Sequence, residues 1–278
     1  MQRSKEIWIK SIRTIIASIL LILVLFPFLS IILTSFKPLE EAMSVPPRIL
    51  PLHWTLGAYQ RLFGPRNFSI YIINSLIVAC SSVVISTLIG GWSAYGLSRF
   101  NFKIKSHVNV FILICLSFPT PLLVIPFFQL LLKLGLFDTI VALILAHLTF
   151  TLPFITWMLK AYYDTIPQEL DEAAIIDGCS NFSIFWRIIF PIAKPGYVAT
   201  GIYAFLNAWN EYMFGLTLTS SEASKTLPVA LGSLMGEFMT DWSCIMAGAV
   251  IASIPVIVLF FFLQKQLIYG LTGGAVKG

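Results

Sequence analysis

Hydrophobic positions run along this chain in long blocks, with polar residues gathered between them. Stretches free of Asp, Glu, Lys and Arg cover residues 14–36, 67–98, 106–132, 139–159 and 242–264. Each supplies the roughly 20 residues that a helix rising 1.5 Å per residue needs to cross a bilayer. Residues 195–221 form a sixth run, interrupted by a single charge, Glu211, set well inside it. The runs lack the strict alternation of barrel strands, and helices satisfy their own backbone groups in hydrocarbon. The pattern therefore predicts an all-α membrane protein with six transmembrane helices, over 13–35, 70–97, 107–132, 139–160, 196–218 and 242–264 of one domain, 1–278.

Composition agrees with that pattern. Of 278 residues 58% are hydrophobic and 11% charged, where a soluble domain carries about 25% charged residues. Mean hydropathy is +0.88, which excludes an ordinary soluble enzyme. A net charge of +5 is too small to advertise nucleic acid, so the placement of basic residues reports topology instead. Twelve Lys and Arg fall at the termini and in the 98–106 and 160–195 loops, against six in the alternate loops. Both termini are therefore expected in the cytoplasm. The first run follows a basic segment, as in a signal peptide, but continues past Pro27 through Leu33 with no small-residue cleavage site and is expected to remain as a helix.

Cys80, Cys115, Cys179 and Cys244 show no C-x-x-C spacing, and His53, His107 and His147 stand apart in sequence, so no metal site is expected. The third cytoplasmic segment is unusual in carrying Asp164, Glu169, Asp171, Glu172 and Asp177. Thr165, Pro167 and Gln168 supply helix start signals, the acids fall where the helix dipole favours them, and Gly178 is a stop. Ser180 or Asn181 opens a second apolar helix that Pro191 and Pro195 are expected to end. Ala173 and Ala174 between Glu172 and Asp177 make a narrow face with a negative rim. A surface that enters a groove on another protein and a solvated connecting loop both fit this composition.

Glu172-Ala173-Ala174, Gly178 and Ile188-Ile189-Phe190-Pro191 resemble the EAA loop of permease subunits from bacterial binding-protein-dependent ABC importers. Over residues 12–278 the chain is similar to the carbohydrate branch, and to the smaller membrane subunit of maltose-type systems. Supporting segments are Ala94-Tyr95-Gly96-Leu97-Ser98-Arg99, Leu152-Pro153-Phe154 and Ala208-Trp209-Asn210-Glu211. The resemblance implies a cytoplasmic coupling loop, 165–191, that docks into an ATPase. Glu172, Ala173, Ala174, Asp177, Gly178 and Pro191 would couple to it, and Gly274, Ala275, Val276, Lys277 and Gly278 would lie against it. It also implies the partners: a homologous permease subunit, two copies of a cytoplasmic ABC ATPase, an extracytoplasmic sugar-binding protein and the lipid of the bacterial inner membrane. No cofactor is expected on this chain, because a G-x-x-x-x-G-K-[ST] loop is missing from the sequence, so ATP and Mg belong to the partner ATPase.

A buried charge such as Glu211 should face protein or water. Asn207, Trp209, Asn210, Glu211 and Tyr212 are candidates for a substrate path, with Trp209 or Tyr212 offering a flat face to a sugar; cross-linking of helices by the same groups is the alternative. Phe118-Pro119-Thr120-Pro121 and Pro126 predict a kinked or broken third span. Trp92 and Tyr95 read as interfacial anchors. Residues 219–241 form an outer loop that, by the resemblance, meets the sugar-binding protein. A phosphorylated polyol or non-sugar cargo stays open. An ion-coupled transporter would be expected to show repeats and more embedded charge, and an intramembrane enzyme a convergent acid/base or metal cluster.

Overall fold

The computed structural model describes residues 2–236 and 240–272, with side chains described over 10–236 and 240–264. Every regular element among them is helical. The principal helices are α1 (Gln2–Ser35), α2 (Phe68–Arg99), α3 (Lys105–Ser117), α4 (Val124–Lys133), α5 (Ile140–Tyr163), α6 (Glu169–Ile176), α7 (Asn181–Ile192), α8 (Lys194–Trp209), α9 (Met213–Leu218) and α10 (Trp242–Thr272). Four of them contain apolar stretches long enough to span: Lys10–Ser35, Phe68–Arg99, Ile140–Tyr163 and Trp242–Gln264. The chain divides into two compact units, residues 1–68 with 231–254 and residues 69–230 with 255–278.

The first unit is built on α1, whose apolar side chains, Ile15, Ile19 and Ile22 among them, are exposed all round. A helix apolar on every face belongs in lipid or against another protein. Beyond α1 the chain is tied down locally. Ser35 hydrogen-bonds the Tyr59 hydroxyl at 2.8 Å, and the Phe36 ring lies 5.9 Å from Trp54 and 5.5 Å from Tyr59. Arg61 pairs with Asp241 at 3.2 Å and donates to Ser243 at 2.8 Å. Burial works against the Asp241 charge, but Cys244, Ser243 and Arg61 outweigh it and bring its carboxyl down to about 2.

In the second unit α2 runs past two buried clusters. Val78 belongs to one, with Val124, Leu143, Phe214 and Leu218. Ala94 and Tyr95 belong to the other, with Ile155, Tyr163, Phe185 and Ile189. Sixteen residues separate Val78 from Ala94, about 24 Å of helix. Two glycines let neighbours close on α2: a Cβ at Gly90 would press on Ile155, and one at Gly91 would run into the Tyr197 hydroxyl. That hydroxyl is itself bonded to Tyr163 at 2.7 Å, which joins α5 to α8.

The run 106–132 breaks where its prolines stand. The chain turns by 95° between α3 and the segment Thr120–Lys133, with a 3₁₀ turn over Thr120–Leu123. Proline lacks the donor and crowds the preceding turn, so the break follows from Pro119 and Pro121.

The fifth span departs from the continuous helix expected over 196–218. It stops at Trp209 and restarts at Met213. Glu211 accounts for the interruption: its two carboxylate oxygens accept from the backbone N–H groups of Phe214 (2.7 Å) and Gly215 (3.0 Å), capping α9. The cost of burying the charge is offset by donors that a helix start leaves unpaired.

Candidate functional site

The acidic segment folds as two short helices in the second unit. Helix α6 opens on the Gln168 carbonyl, which accepts from Asp171 N–H (2.9 Å) and Glu172 N–H (3.1 Å). Glu169, Asp171 and Glu172 occupy its first turn, where the dipole favours negative charge. The helix ends in a Schellman turn. Gly178 takes φ +80°, its N–H donates to Ile175 (3.0 Å), and Cys179 N–H donates to Ala174 (2.9 Å). Ser180 then caps α7 by accepting from Ser183 N–H at 3.3 Å.

Pro191 does not end α7 as expected. The helix widens into a π turn over Phe185–Ile189 and continues through Pro191 to Ile192 before bending 78° into α8. A proline ring crowds the carbonyl four residues back, here Arg187, which lies in the widened turn.

Burial divides the loop into two faces. Asp171 and Ala174 are buried, whereas Glu172, Ala173, Asp177, Gly178 and Pro191 are exposed. The expected pairing of Ala173 with Ala174 on one outer surface is thus corrected: Ala174 packs inward with Ile184 and Ile189. The outward large apolar groups of α6 and the start of α7 are Leu170, Ile175, Ile176 (86% exposed) and Phe182.

The inner face is held by the last turns of α2. Asp171 Oδ2 lies 3.0 Å from Arg99 Nε, and the two side chains are only 12% and 6% exposed. The Tyr95 hydroxyl donates to Asp171 Oδ1 at 3.2 Å. Arg99 Nη2 donates to the Ile166 carbonyl (3.0 Å), and Ser98 donates to Asp164 (2.7 Å). Burial opposes the Asp164 charge, but Lys160 at 2.7 Å and Ser98 more than compensate, so its carboxyl lies below the usual value. Trp92 stacks on Phe185 with centroids 4.0 Å apart and on Phe182 at 5.4 Å. Trp92 and Tyr95 are therefore the seat of the loop and not interfacial anchors. Alternating burial of the loop was not readable before its packing partner was known; the Ala94–Arg99 segment was the signal that a partner stood there.

The substrate-path candidates do not share one surface. Asn207, Asn210 and Tyr212 are exposed, but Trp209 is 2% exposed and stacks on Phe205 at 5.7 Å. Trp209 fills the chain's own packing and offers no open face; Tyr212 is the aromatic ring that remains accessible. Glu211 serves as the cap described above.

A second cluster orders the loop that follows α9. Asp138, at φ +61°, accepts from the N–H groups of Ser220 (2.8 Å) and Ser221 (3.0 Å) and from the Ser224 hydroxyl. The Ser220 N–H and the Ser224 hydroxyl hold its carboxyl well below the ordinary carboxylate range. From α2, Asn74 donates to the carbonyls of Ala223 and Lys225, both at 2.9 Å, and Ser75 accepts from Leu227 N–H. Of the expected loop 219–241, residues 237–239 lie outside the described residues, as do Gly274, Ala275, Val276, Lys277 and Gly278 of the tail. Among the described residues no cluster of His, Cys, Asp and Glu is arranged to hold a metal.

Residues 86–271 match the family model of the binding-protein-dependent transport system inner membrane component. The chain is 36% identical over 269 residues to the sulfoquinovosyl glycerol transport system permease protein SmoH of Agrobacterium fabrum, covering 97% of this chain and 94% of that protein. It is 34% identical over 278 residues to the trehalose/maltose transport system permease protein MalG of Thermococcus litoralis, covering 99% of each. Its fold matches a chain of a bacterial ABC transporter involved in the import of the acidic polysaccharide alginate, with TM-score 0.80, 23% identity and coverage of 95% and 97%. With the family matched over two thirds of its length and permeases aligned end to end, the chain belongs to the binding-protein-dependent transport system inner membrane components, the multi-pass permease subunits of ABC transporters.

Proposed function

We propose that this permease imports a sugar or related polyol as one half of a two-subunit translocation path, itself hydrolysing nothing. Its partners are a homologous permease subunit, two copies of a cytoplasmic ABC ATPase that bind ATP and Mg, and an extracytoplasmic sugar-binding protein. The observation that carries this reading is the exposed outer face of α6: Glu172, Ala173, Ile175 and Ile176 stand clear on a short helix whose other face is anchored in the chain. Such a surface, apolar with an acidic rim, suits a cleft that offers a cation. In this reading Glu172 makes the ionic contact, Asp177, Gly178 and Pro191 shape the knob, and the tail 274–278 lies against the same ATPases. The loop and both termini then face the cytoplasm, as the basic residues favour. The sugar class is supported by the cargo named for the sulfoquinovosyl glycerol and trehalose/maltose relatives.

The test is uptake by the reconstituted complex with its binding protein and Mg-ATP, using trehalose, maltose, sulfoquinovosyl glycerol and glycerol 3-phosphate. Uptake of a sugar supports the class, and uptake of glycerol 3-phosphate alone overturns it. Glu172→Ala should insert normally yet lose most ATPase binding and uptake. Full uptake by that variant removes Glu172 from the coupling role, and uptake without any ATPase refutes the whole reading.

A further inference from the structure

We propose that the buried Arg99–Asp171 pair is the link through which displacement of α6 reaches the second span, with both side chains acting as positioning residues. The inference rests on the docking reading above and extends it inward from the docked surface. Neighbouring acids on α6 have opposite surroundings: Glu172 is exposed, while Asp171 is 8% exposed and faces the end of α2. About 100° of helical rotation separates consecutive residues, so one side chain meets a docked protein while the next grips a span.

The grip is polar, and its directional parts are the hydrogen bonds that Tyr95 and Arg99 donate. Arg99 is the last residue of α2, its Nε faces Asp171 at 3.0 Å, and its Nη2 holds the Ile166 carbonyl at 3.0 Å. Tyr95, one turn earlier and 3% exposed, donates to the other Asp171 oxygen. Among the described residues, the side-chain polar ties of α6 to another helix all run to α2. The remaining contacts of α6 with the core, such as Ala174, are apolar. Apolar contacts are non-directional and tolerate sliding, whereas the hydrogen bonds from Arg99 Nη2 to the Ile166 carbonyl and from Tyr95 to Asp171 fix a register, and the Arg99–Asp171 contact adds ionic attraction without hydrogen-bond geometry of its own. A buried ion pair is seldom the most stable filling for such a site, so its use at this joint fits transmission better than cohesion.

The test is hydrogen exchange on the complete reconstituted complex, with and without Mg-ATP and orthovanadate. In the wild type, nucleotide should change exchange both at 168–178 and at 92–99. Removing both charges together, with Arg99→Gln and Asp171→Asn, leaves no unpaired buried ion. The response at 168–178 should then persist while that at 92–99 falls at least about fivefold, within the usual range of coupling between sites. A wild-type response at 92–99 in the double variant overturns the proposal. So does loss of protection there before nucleotide is added, which makes the pair a packing feature alone. If the wild-type loop itself does not respond, the docking reading fails and takes this one with it. Should the double variant not assemble, Arg99→Lys serves: a lysine cannot span both acceptors as the fork does. A diminished response at 92–99 then supports the link, and an unchanged one overturns it.

Discussion

Gly178 offers a clean perturbation of the proposed coupling loop, because conformation and crowding there make opposite forecasts. The residue closes the Schellman turn at φ +80°, and a Cβ added to it would meet nothing within 4 Å. A methyl group therefore costs only what the left-handed backbone charges an L-residue, about 1–2 kcal/mol. That is roughly a 5- to 30-fold shift between the formed and unformed turn. Asn visits this region more readily than Ala although it is larger. Affinity for the ATPase should then rank Gly178, Gly178→Asn, Gly178→Ala, Gly178→Val, weakest last, with the alanine variant weakened about 5- to 30-fold if docking requires the turn. The assay is titration of purified ATPase onto the permease pair in nanodiscs, alongside exchange of the 178 and 179 amides in the undocked pair. If Asn weakens binding more than Ala, size governs the site and the conformational argument is refuted. If Ala binds and exchanges as Gly does, the turn is not held in this geometry.

Three further outcomes follow from the same structure. Glu211→Ala removes both cap bonds of α9 and should cost about 1–2 kcal/mol, seen as a melting temperature lower by roughly 2–8 °C; an unchanged melt with lost uptake would place Glu211 in the transport path instead. Asp138→Ala leaves the Ser220 and Ser221 amides and the Ser224 hydroxyl without their acceptor, at a cost of about 1–3 kcal/mol. Exchange over 220–224 should accelerate, and wild-type protection there would show that the loop is held by Asn74 and Ser75 alone. Asp241 has a folded pKa of about 2 against an ordinary value of 3.8. A depressed carboxylate stabilises above its unfolded pKa and loses that contribution as pH falls toward the folded one. Melting should therefore fall between about pH 4 and pH 2, and Asp241→Asn should flatten that slope; an equal slope in the variant would assign it to other groups.

The blocks of uncharged residues revealed the spans because the bilayer imposes their length, and Pro119 with Pro121 marked the break in the third because two prolines so close together remove two donors from one turn, whereas Pro191 alone is absorbed by a widened turn. Gly178 was legible for the same kind of reason. Glu211 was not: no proline or glycine stands at Asn210-Glu211-Tyr212, and the interruption arises from a side chain turning back to cap the next helix. Trp209 looked suited to a sugar because an aromatic beside Asn and Glu has the right chemistry, yet which way it turns depends on Phe205 one turn earlier. Asp171 and Glu172 are equivalent as letters. Their roles separate only when the helix has a side packed against Arg99, and that is a property of the tertiary structure.

The glycine at position 91 sets how closely two rods approach near the C-terminal end of α2. Since the Tyr197 ring occupies the volume a β-carbon would need, any other residue there acts as a shim. Alanine, serine and cysteine would form a graded series of wedges, each driving the Tyr197 hydroxyl out of the volume that the added β-carbon takes. The separation of those rods becomes an adjustable quantity, tunable from a site that touches neither α6 nor the ion pair behind it.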